Sequence, residues 1–311
     1  MELTTTLPTV LVIVGPTASG KSSLALHITR LTPSEIVSAD SRQVYKFLDI
    51  GSAKPSQEAL KEVPHHFIDE LMPDEHFSAG LFGERGRKVI GEIVKRRRLP
   101  IVVGGTGLYI RAVVDGLFAG PGREKELREE LEGRLENEGA ASLLEELRTV
   151  DPNAAAQMLP SNQRRIIRAL EVYYATGKPI SVHHEEQVVM PTFVSYIIGL
   201  QWERQKLYER INLRVDEMLD AGFLDEVKGL LERSYDDRYK SLQTVGYKEA
   251  FAFLRKEISE DRMVELMKQN TRRFAKRQLT WFRKDKRIQW INIRSEEEIG
   301  RIAEKVLILL K

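Results

Sequence analysis

The sequence predicts an α/β fold in which a parallel sheet carries helices on both faces and a helical segment is inserted into the chain. Three observations lead to this prediction. A glycine-rich phosphate-binding motif follows a short apolar run and begins a helical pattern. Further apolar runs of strand length, linked by helical patterns, occur on both sides of the middle of the chain, which is typical of a doubly wound sheet. The middle itself has helical patterns and no convincing strand.

The phosphate-binding motif is the stretch Gly15–Ser22, which fits G-x-x-x-x-G-K-[ST] position by position after the apolar run Thr9–Val14. Its two glycines allow a tight turn that aims backbone N–H groups and a helix N-terminus at a phosphate. Lys21 adds a point charge, and Ser22 supplies a hydroxyl suited to Mg²⁺. The motif therefore predicts a P-loop NTPase-like core, and it leaves the identity of the phosphate compound open.

Polar residues follow two further apolar runs. Asp40 comes after Glu35–Ser38, and the glycine-rich stretch Gly104–Tyr109, with Thr106, comes after Pro100–Val103. Because residues just past the carboxyl ends of parallel strands line the ligand crevice, we expect Asp40 and Thr106 near the phosphate site. Asp40 would serve there as an outer ligand of Mg²⁺, a Walker B-like carboxylate or a general base. A helix cap or a turn is the alternative role.

A change in composition at Gly120–Gly122 marks the start of the helical insertion. It is predicted to span residues 120–190, and the core is predicted to consist of residues 1–119 and 191–311. The last helix of the insertion, Asn162–Thr176, has a basic face beside an apolar stripe. Such a face fits a solvated surface and a phosphate or RNA contact equally well.

Two later helical segments are also basic. In Trp202–Leu231, Arg210 and Arg214 lie off the apolar stripe. Arginines so placed can close over charged phosphate groups, and surface ion pairs are the alternative. The segment Ser259–Arg283 interleaves basic with aromatic residues, which suits a nucleic acid backbone.

Composition excludes several classes of site. The chain of 311 residues has no cysteine, so disulfides, thiolate metal sites and a cysteine nucleophile are excluded, and an intracellular location is favoured. The net charge of +2 indicates no partner by itself. We expect no membrane partner, because no segment reaches the apolar length of a span. The pair His65-His66 lacks further ligands at metal spacing and is interpreted as structural or surface residues.

Together, these stretches resemble the tRNA dimethylallyltransferase family, also called tRNA isopentenyltransferases, in its compact bacterial form. The resemblance runs over nearly the whole chain. The residues that carry it are Gly15–Ser22, Ser38–Tyr45, Asp49–Pro55, Val103–Tyr109, Asn162–Ile166, Arg210-Ile211 with Arg214, Val245–Glu249 and Arg272–Arg283. This ordered set is far more specific than a P-loop alone.

The resemblance implies transfer of a dimethylallyl group from dimethylallyl diphosphate to N6 of the adenosine at tRNA position 37, beside the anticodon. The diphosphate would be bound, with Mg²⁺ as cofactor, by Gly15, Thr17, Ala18, Ser19, Gly20, Lys21 and Ser22. Ser22 would be the metal ligand, and Arg214 would offset charge on the leaving group. Asp40 would be the general base at N6. Thr106 would contact the adenosine or its phosphate.

The same resemblance implies that the target base is flipped out of the anticodon loop and that the insertion clasps the anticodon arm. The residues that it assigns to tRNA contact are Asp40, Ser41, Arg42, Gln43, Thr106, Arg128, Gln163, Arg164, Arg165, Ile166, Ile167, Arg272, Lys276 and Arg277. We expect a monomer in the cytoplasm. The alternative functions are a P-loop small-molecule kinase, a prenyltransferase acting on free adenylate, and an RNA-binding protein with a vestigial phosphate site.

Overall fold

The structure is a computed structural model that describes residues 7–117, 120, 125–186 and 190–310. These residues form two compact units. The first, here called the α/β unit, lies within Met1–Asp115 and Pro191–Lys311, and the second, the helical unit, lies within Gly116–Met190. Of the boundary expected at Gly120–Gly122, Pro121 and Gly122 lie outside the described residues.

The α/β unit is built on one parallel sheet, as the sequence predicts. Its strands are β1 (Thr9–Val14), β2 (Ser34–Ser38), β3 (His65–His66), β4 (Leu99–Gly104), β5 (Val194–Trp202) and β6 (Gln289–Ile293). In the described part of the chain, the sheet has six strands in the order β3-β2-β4-β1-β5-β6, and each neighbouring pair is parallel.

The register of the sheet places three loops side by side. Val14 of β1 pairs with Gly104 of β4, and Ser38 of β2 pairs with Val103 of β4. The loops that follow these three strands therefore begin next to one another at one edge of the sheet. The order of the strands reverses around β1, which is where ligands bind in open α/β sheets.

The helices account for most of the remaining chain. They are α1 (Lys21–Leu31), α2 (Gln57–Glu62), α3 (Ala79–Lys95), α4 (Gly107–Val114), α5 (Lys125–Val150), α6 (Pro152–Ala155), α7 (Gln163–Thr176), α8 (Ile180–Glu186), α9 (Arg204–Asp220), α10 (Phe223–Glu232), α11 (Tyr247–Leu254), α12 (Glu260–Phe282) and α13 (Glu298–Leu309). The long segment predicted at Trp202–Leu231 is thus two helices, because the chain adopts a left-handed conformation at Gly222 with φ 92°.

Helices cover both faces of the sheet, which confirms the predicted layers. Buried residues of β1 alternate between two apolar clusters, as expected for a strand covered on both sides. Val12 packs with residues of α3, α4, α10 and α11, whereas Ile13 packs with residues of α1 and α13. Burial on both faces fixes the register of β1 and hence the start of the loop that follows it.

The helical unit has its own core. Leu131, Leu143 and Leu147 of α5 pack against Ile166 and other apolar residues of α7. The helix α5 is interrupted at Gly139, which has φ 82° and ψ 159° and divides it into two helical parts. In the sequence, helical patterns at Glu124–Asn137 and Ala140–Val150 lie on either side of Gly139, which agrees with this division.

Candidate active site

The loop Gly15–Ser22 joins β1 to α1 and is here called the phosphate loop. It turns through left-handed backbone conformations at Ala18 (φ 60°) and Gly20 (φ 89°). Gly20 occupies the N-cap position of α1 and no side chain caps the helix there. The first N–H groups of α1 therefore lack a capping side chain, and the positive end of the helix dipole is available to an anion.

Side chains from other elements hold the backbone of the phosphate loop. The Thr17 N–H donates to Oε1 of Gln278 at 2.8 Å. Nε of Arg210 donates to the Ala18 carbonyl at 2.9 Å, and Nε1 of Trp202 donates to the Ser19 carbonyl at 3.1 Å. The conformation of the loop is thus fixed by contacts from β5, α9 and α12 before any ligand binds.

Arg210 has further contacts that fix its own position. Its guanidinium lies over the ring of Trp202, with Cζ 4.3 Å from the ring centroid, and it forms an ion pair of 2.5 Å with Glu296. The hydroxyl of Ser19 is buried and has no hydrogen-bond partner among the described residues. A buried hydroxyl in this situation is free to donate to an anion in the loop.

Two cations lie together at the phosphate loop. Burial lowers the pKa of Lys21 to about 7, and the nearby charge of Arg214 contributes to this lowering, while Asp40 opposes it. Burial likewise lowers the pKa of Arg214, and Asp40 and Glu217 oppose this. Nζ of Lys21 donates to the Pro16 carbonyl at 2.7 Å. Cations that are desolvated and repel each other gain the most from a bound anion.

A cavity of about 530 Å³ opens beside these cations. Its lining includes Lys21, Ser22 and Arg214, together with Ser38, His65 and apolar groups of Leu26, Ile36 and Leu213. The carboxylates of Glu217 and Glu296 line it as well. The cavity therefore has charged groups, including the two cations, and apolar groups in its lining. This is a suitable shape for a molecule that has both a phosphate group and a hydrocarbon part.

Asp40 and Thr106 are brought together next to the phosphate loop, although neither contributes to the lining of the cavity. The Ser41 N–H donates to Oγ1 of Thr106 at 3.1 Å, and the Arg42 N–H donates to Oδ1 of Asp40 at 2.8 Å. Thr106 is the N-cap residue of α4 but does not cap it. The hydroxyl proton of Thr106 and the second oxygen of Asp40 therefore remain as a donor and an acceptor for a ligand.

Two of the residues expected to contact tRNA have structural partners in the α/β unit. NH1 of Arg42 donates to the carbonyls of Lys240 and Ser241. Gln43 accepts from the Ser38 hydroxyl and donates to the carbonyls of Ser52 and Ala53. Contact with tRNA stays a prediction for Arg42 and Gln43. The same holds for their neighbour Ser41.

In the helical unit, the residues that the sequence assigns to tRNA contact differ in their exposure. Gln163, Arg164 and Arg165 are exposed at the start of α7. Ile166 and Ile167 are buried in the core of the unit, so their side chains serve its packing, and contact of these two residues with tRNA stays a prediction. The apolar stripe of an amphipathic helix faces its own core, and the motif places both residues in that stripe.

Arg128 of α5 lies in an ion-pair network inside the helical unit. Its guanidinium pairs with Glu132 at 2.9 Å and with the buried Glu171 at 3.4 Å. Arg168 also pairs with Glu171, at 3.0 Å. The side chain of Arg128 is only 16% exposed, so the structure gives it a role in the unit itself, and its contact with tRNA stays a prediction.

The helix α12 has a basic exposed face and a buried face. Lys276 and Arg277 are exposed and line a surface groove of about 230 Å³ together with Trp281 and Lys284. Arg272 is half-buried, and its NH1 donates to Oδ1 of Asn212 at 2.6 Å. The groove has the charge and the aromatic surface that suit an RNA backbone with unstacked bases.

Sequence reasoning missed the role of Gln278, although it lies within the basic segment. The signal was available: Gln278 continues a buried stripe that includes Met267, Ala275 and Phe282, and a polar residue in such a stripe needs a partner. The histidine pair forms the edge strand β3, in which Nε2 of His66 meets Oε2 of Glu35 at 2.8 Å. The interpretation of His66 as structural is confirmed.

Two other kinds of site are absent from the part of the chain that the structure describes. No group of three or more His, Cys, Asp or Glu residues there could hold a metal ion. Along residues 7–117, 120, 125–186 and 190–310, no helix is both long and apolar enough to cross a membrane.

Comparison with known proteins identifies the family. A family model described as IPP transferase matches residues 43–285. A tRNA dimethylallyltransferase of Acetivibrio thermocellus is 48% identical over 285 residues, which cover 91% of each chain. A tRNA dimethylallyltransferase of Geobacter sulfurreducens is 46% identical over 296 residues, covering 94% of this chain and 95% of the relative.

Solved structures agree with the sequence relatives. The tRNA isopentenylpyrophosphate transferase of Bacillus halodurans is 39% identical with a TM-score of 0.71, over 97% of this chain and 96% of the other. A eukaryotic dimethylallyltransferase acting on tRNA is 28% identical with a TM-score of 0.82, over 97% of this chain and 78% of the other. Because the family model matches most of the chain and the relatives match nearly all of it, the chain belongs to the IPP transferase family.

Proposed function

We propose that this chain transfers a dimethylallyl group from dimethylallyl diphosphate to N6 of the adenosine at position 37 of tRNA, with release of diphosphate. Membership of the family makes the chain a transferase that modifies tRNA. The single observation that carries the finer proposal is the cavity that Lys21, Arg214 and the phosphate loop line together with apolar side chains. A prenyl diphosphate has both of the corresponding parts.

At the donor end, catalysis would consist of stabilising charge. The bond between C1 of the dimethylallyl group and a diphosphate oxygen breaks, and negative charge grows on that oxygen. Lys21, Arg214 and the N–H groups at the start of α1 would offset this charge. Their desolvation, seen in the lowered pKa values of both side chains, makes each interaction stronger than it would be in water.

At the acceptor end, a proton must leave the amine. As the bond from N6 to C1 forms, N6 loses a proton, which Asp40 would accept through the oxygen that does not bind the Arg42 N–H. The hydroxyl of Thr106 already accepts from the Ser41 N–H. It can therefore donate to the adenosine and hold the base with N6 toward Asp40.

The proposed cofactor is Mg²⁺, and the residues present fit it. Ser22 is exposed in the first turn of α1 and lines the cavity, where its hydroxyl would be one ligand. Mg²⁺ usually keeps several waters and takes other ligands from phosphate oxygens, so the lack of a carboxylate cluster among the described residues agrees with this. Bound there, the ion would neutralise charge on the diphosphate.

Binding of tRNA would use exposed cations in both units. Arg164 and Arg165 of the helical unit, and Lys276 and Arg277 of the α/β unit, are exposed and suit phosphates of the anticodon arm. The target base would leave the stack to reach Asp40. We propose that the enzyme works as a monomer in the cytoplasm, where its substrate tRNA is found.

The experiment that tests this function is a parallel labelling assay. The protein is incubated with Mg²⁺, radiolabelled dimethylallyl diphosphate and either unmodified tRNA or free adenylate. A parallel sample contains tRNA and labelled ATP in place of the prenyl donor. We expect label from the prenyl donor on the adenosine at position 37 and no turnover of ATP. ATP turnover without prenylated tRNA would favour a kinase, and prenylation of free adenylate alone would favour a nucleotide prenyltransferase.

A further inference from the structure

Gln278 is a buried amide that joins two loops of the proposed site without lining its cavity. The residue lies on α12 and is 7% exposed. Its Oε1 accepts from the N–H of Thr17 at 2.8 Å, and its Nε2 donates to the carbonyl of Gly105 at 3.0 Å. One side chain thus connects the loop after β1 to the loop after β4.

The chemistry of this link is specific to an amide. Both partners are backbone groups, one a donor and one an acceptor, and an amide offers an acceptor and a donor at a fixed spacing. A carboxylate would keep the contact with Thr17 but would turn a second oxygen toward the Gly105 carbonyl. An apolar side chain of similar length would leave both backbone groups without partners.

The packing around Gln278 is too close for a loose contact. A Cβ atom added to Gly105 would lie 2.2 Å from Nε2 of Gln278, with no space between the loop and the amide. One turn later on the same helix, Trp281 packs against Gly107, where an added Cβ would lie 2.2 Å from Cδ1 of the indole ring.

The preceding turn of α12 shares an apolar cluster with the phosphate loop. Ala275 is fully buried and belongs to one cluster with Ala18 of the phosphate loop and with Leu207 and Ile211 of α9. Successive turns of α12 therefore join this cluster, contact both loops through Gln278, and pack against the start of α4 beside Thr106. The helix sets the spacing between the two loops.

We propose that Gln278 is a positioning residue that fixes the phosphate loop relative to the loop carrying Thr106, and so sets the distance between the prenyl donor and the target amine. The inference rests on the proposed function. In this role, Gln278 also withdraws the Thr17 N–H from the diphosphate, which leaves the N–H groups later in the phosphate loop to bind it. Gln278 itself contacts neither substrate.

The test compares Gln278→Met with the wild type in steady-state prenyl transfer, and active sites are counted by stoichiometric binding of the donor. Because a displacement of about 1 Å can lower a rate by up to about a hundredfold, we expect kcat per active site to fall at least about tenfold, while KM for each substrate changes less than about threefold. A merely structural amide would lower the active fraction and leave kcat per site unchanged; that result would overturn the proposal.

A second variant adds a pH profile. In Gln278→Glu, a protonated carboxyl group again offers a donor to the Gly105 carbonyl and an acceptor to the Thr17 N–H. We expect the activity of this variant, relative to the wild type, to rise as the pH is lowered. A ratio that does not change with pH would contradict the need for a donor at Gly105. Gln289→Met is the matched control, since it removes an exposed amide from strand β6, and it should leave kcat unchanged.

Hydrogen exchange supplies a readout that does not depend on activity. The Thr17 amide should be protected in the free wild-type protein and should exchange at least about tenfold faster in Gln278→Met. An unprotected Thr17 amide in the wild type would overturn the inference. Absence of prenyl transfer by the wild type would instead refute the proposed function, so the two failures are distinguishable.

Discussion

Two sets of cations in this molecule differ in their surroundings. At the phosphate loop, Lys21 and Arg214 are half-buried, and burial is the main cause of the lowered pKa of each. On the outer face of α12, Lys276 and Arg277 are exposed to solvent. The first pair lines a cavity beside the phosphate loop, whereas the second lines a smaller surface groove.

The difference in solvent exposure determines how each set of cations can interact with a ligand. Charges removed from water interact strongly over short distances and are weakly screened by salt, but they must be close to their partner. Exposed charges contribute little singly, and they act together on a polyanion by releasing counterions. We therefore expect chemistry to depend on the half-buried set and affinity for tRNA to depend on the exposed set.

The largest effect is expected for Asp40→Asn. The asparagine keeps an oxygen for the Arg42 N–H but cannot accept a proton from N6 at neutral pH. Turnover should fall at least about a hundredfold, which is the scale of losing a general base, while tRNA affinity stays within about threefold of the wild type. Single-turnover prenyl transfer and a filter-binding assay measure the two quantities.

The matched control is Asp225→Asn, which removes a carboxylate that is 79% exposed on α10. It should leave turnover unchanged. If Asp40→Asn retained normal turnover, Asp40 would have no role as the base. The claim that chemistry depends on the charges at the phosphate loop would then lack support.

A pH-dependent effect is expected for Lys21. Its pKa in the free protein is lowered to about 7, and a bound diphosphate would raise it again. Above pH 7, binding must therefore take up a proton, and donor affinity should fall by up to about tenfold per pH unit in addition to the titration of the ligand itself. Below pH 7 this contribution should vanish.

Calorimetry in two buffers with different ionisation enthalpies measures the proton uptake. In Lys21→Arg, the guanidinium stays charged at every working pH, so we expect the uptake that is due to residue 21 to disappear. The same proton uptake in the wild type and this variant would show that Lys21 is already charged in the free protein and would weaken the argument from desolvation.

The smallest effect is expected for the double variant of Lys276→Ala with Arg277→Ala. Loss of two exposed phosphate contacts should weaken tRNA binding by roughly five- to tenfold at moderate salt and reduce the slope of log affinity against log salt by about 1.5. Turnover at saturating tRNA should be unchanged.

The control for the exposed set is Arg262→Ala with Lys228→Ala. Arg262 lies at the other end of α12 and pairs with Glu265, and Lys228 pairs with Asp225 on α10. Removal of these exposed cations should leave the salt slope as it is. An equal loss of slope in both double variants would mean that general charge, and not the groove on α12, governs tRNA binding.

The sequence predicts the layers of the fold and the centre of the site because both have local signals. A phosphate loop between an apolar run and a helix needs no distant information, and Asp40 and Thr106 each follow closely after a strand. The edge strand β3 was missed because it has two residues and no apolar run. Its position is set by pairing with β2, which is a long-range contact.

The parts of the site that were not predicted also depend on long-range contacts. Gln278 is 261 residues from Thr17 along the chain, and no local pattern indicates which backbone groups it meets. Ile166 and Ile167 belong to a motif that the resemblance assigns to tRNA, and their side chains pack in the core of the helical unit. A family motif contains residues that contact the ligand and residues whose packing supports them.

One salt titration tests the comparison most directly. The affinities for dimethylallyl diphosphate and for tRNA are measured with the same protein between about 50 and 200 mM salt. Because the cations at the phosphate loop are half-buried, we expect donor affinity to change less than about threefold. Because the cations on α12 are exposed, we expect tRNA affinity to fall at least about tenfold. Parallel losses for both ligands, or a tRNA affinity that does not respond to salt, would contradict the assignment of chemistry to one set of charges and tRNA binding to the other.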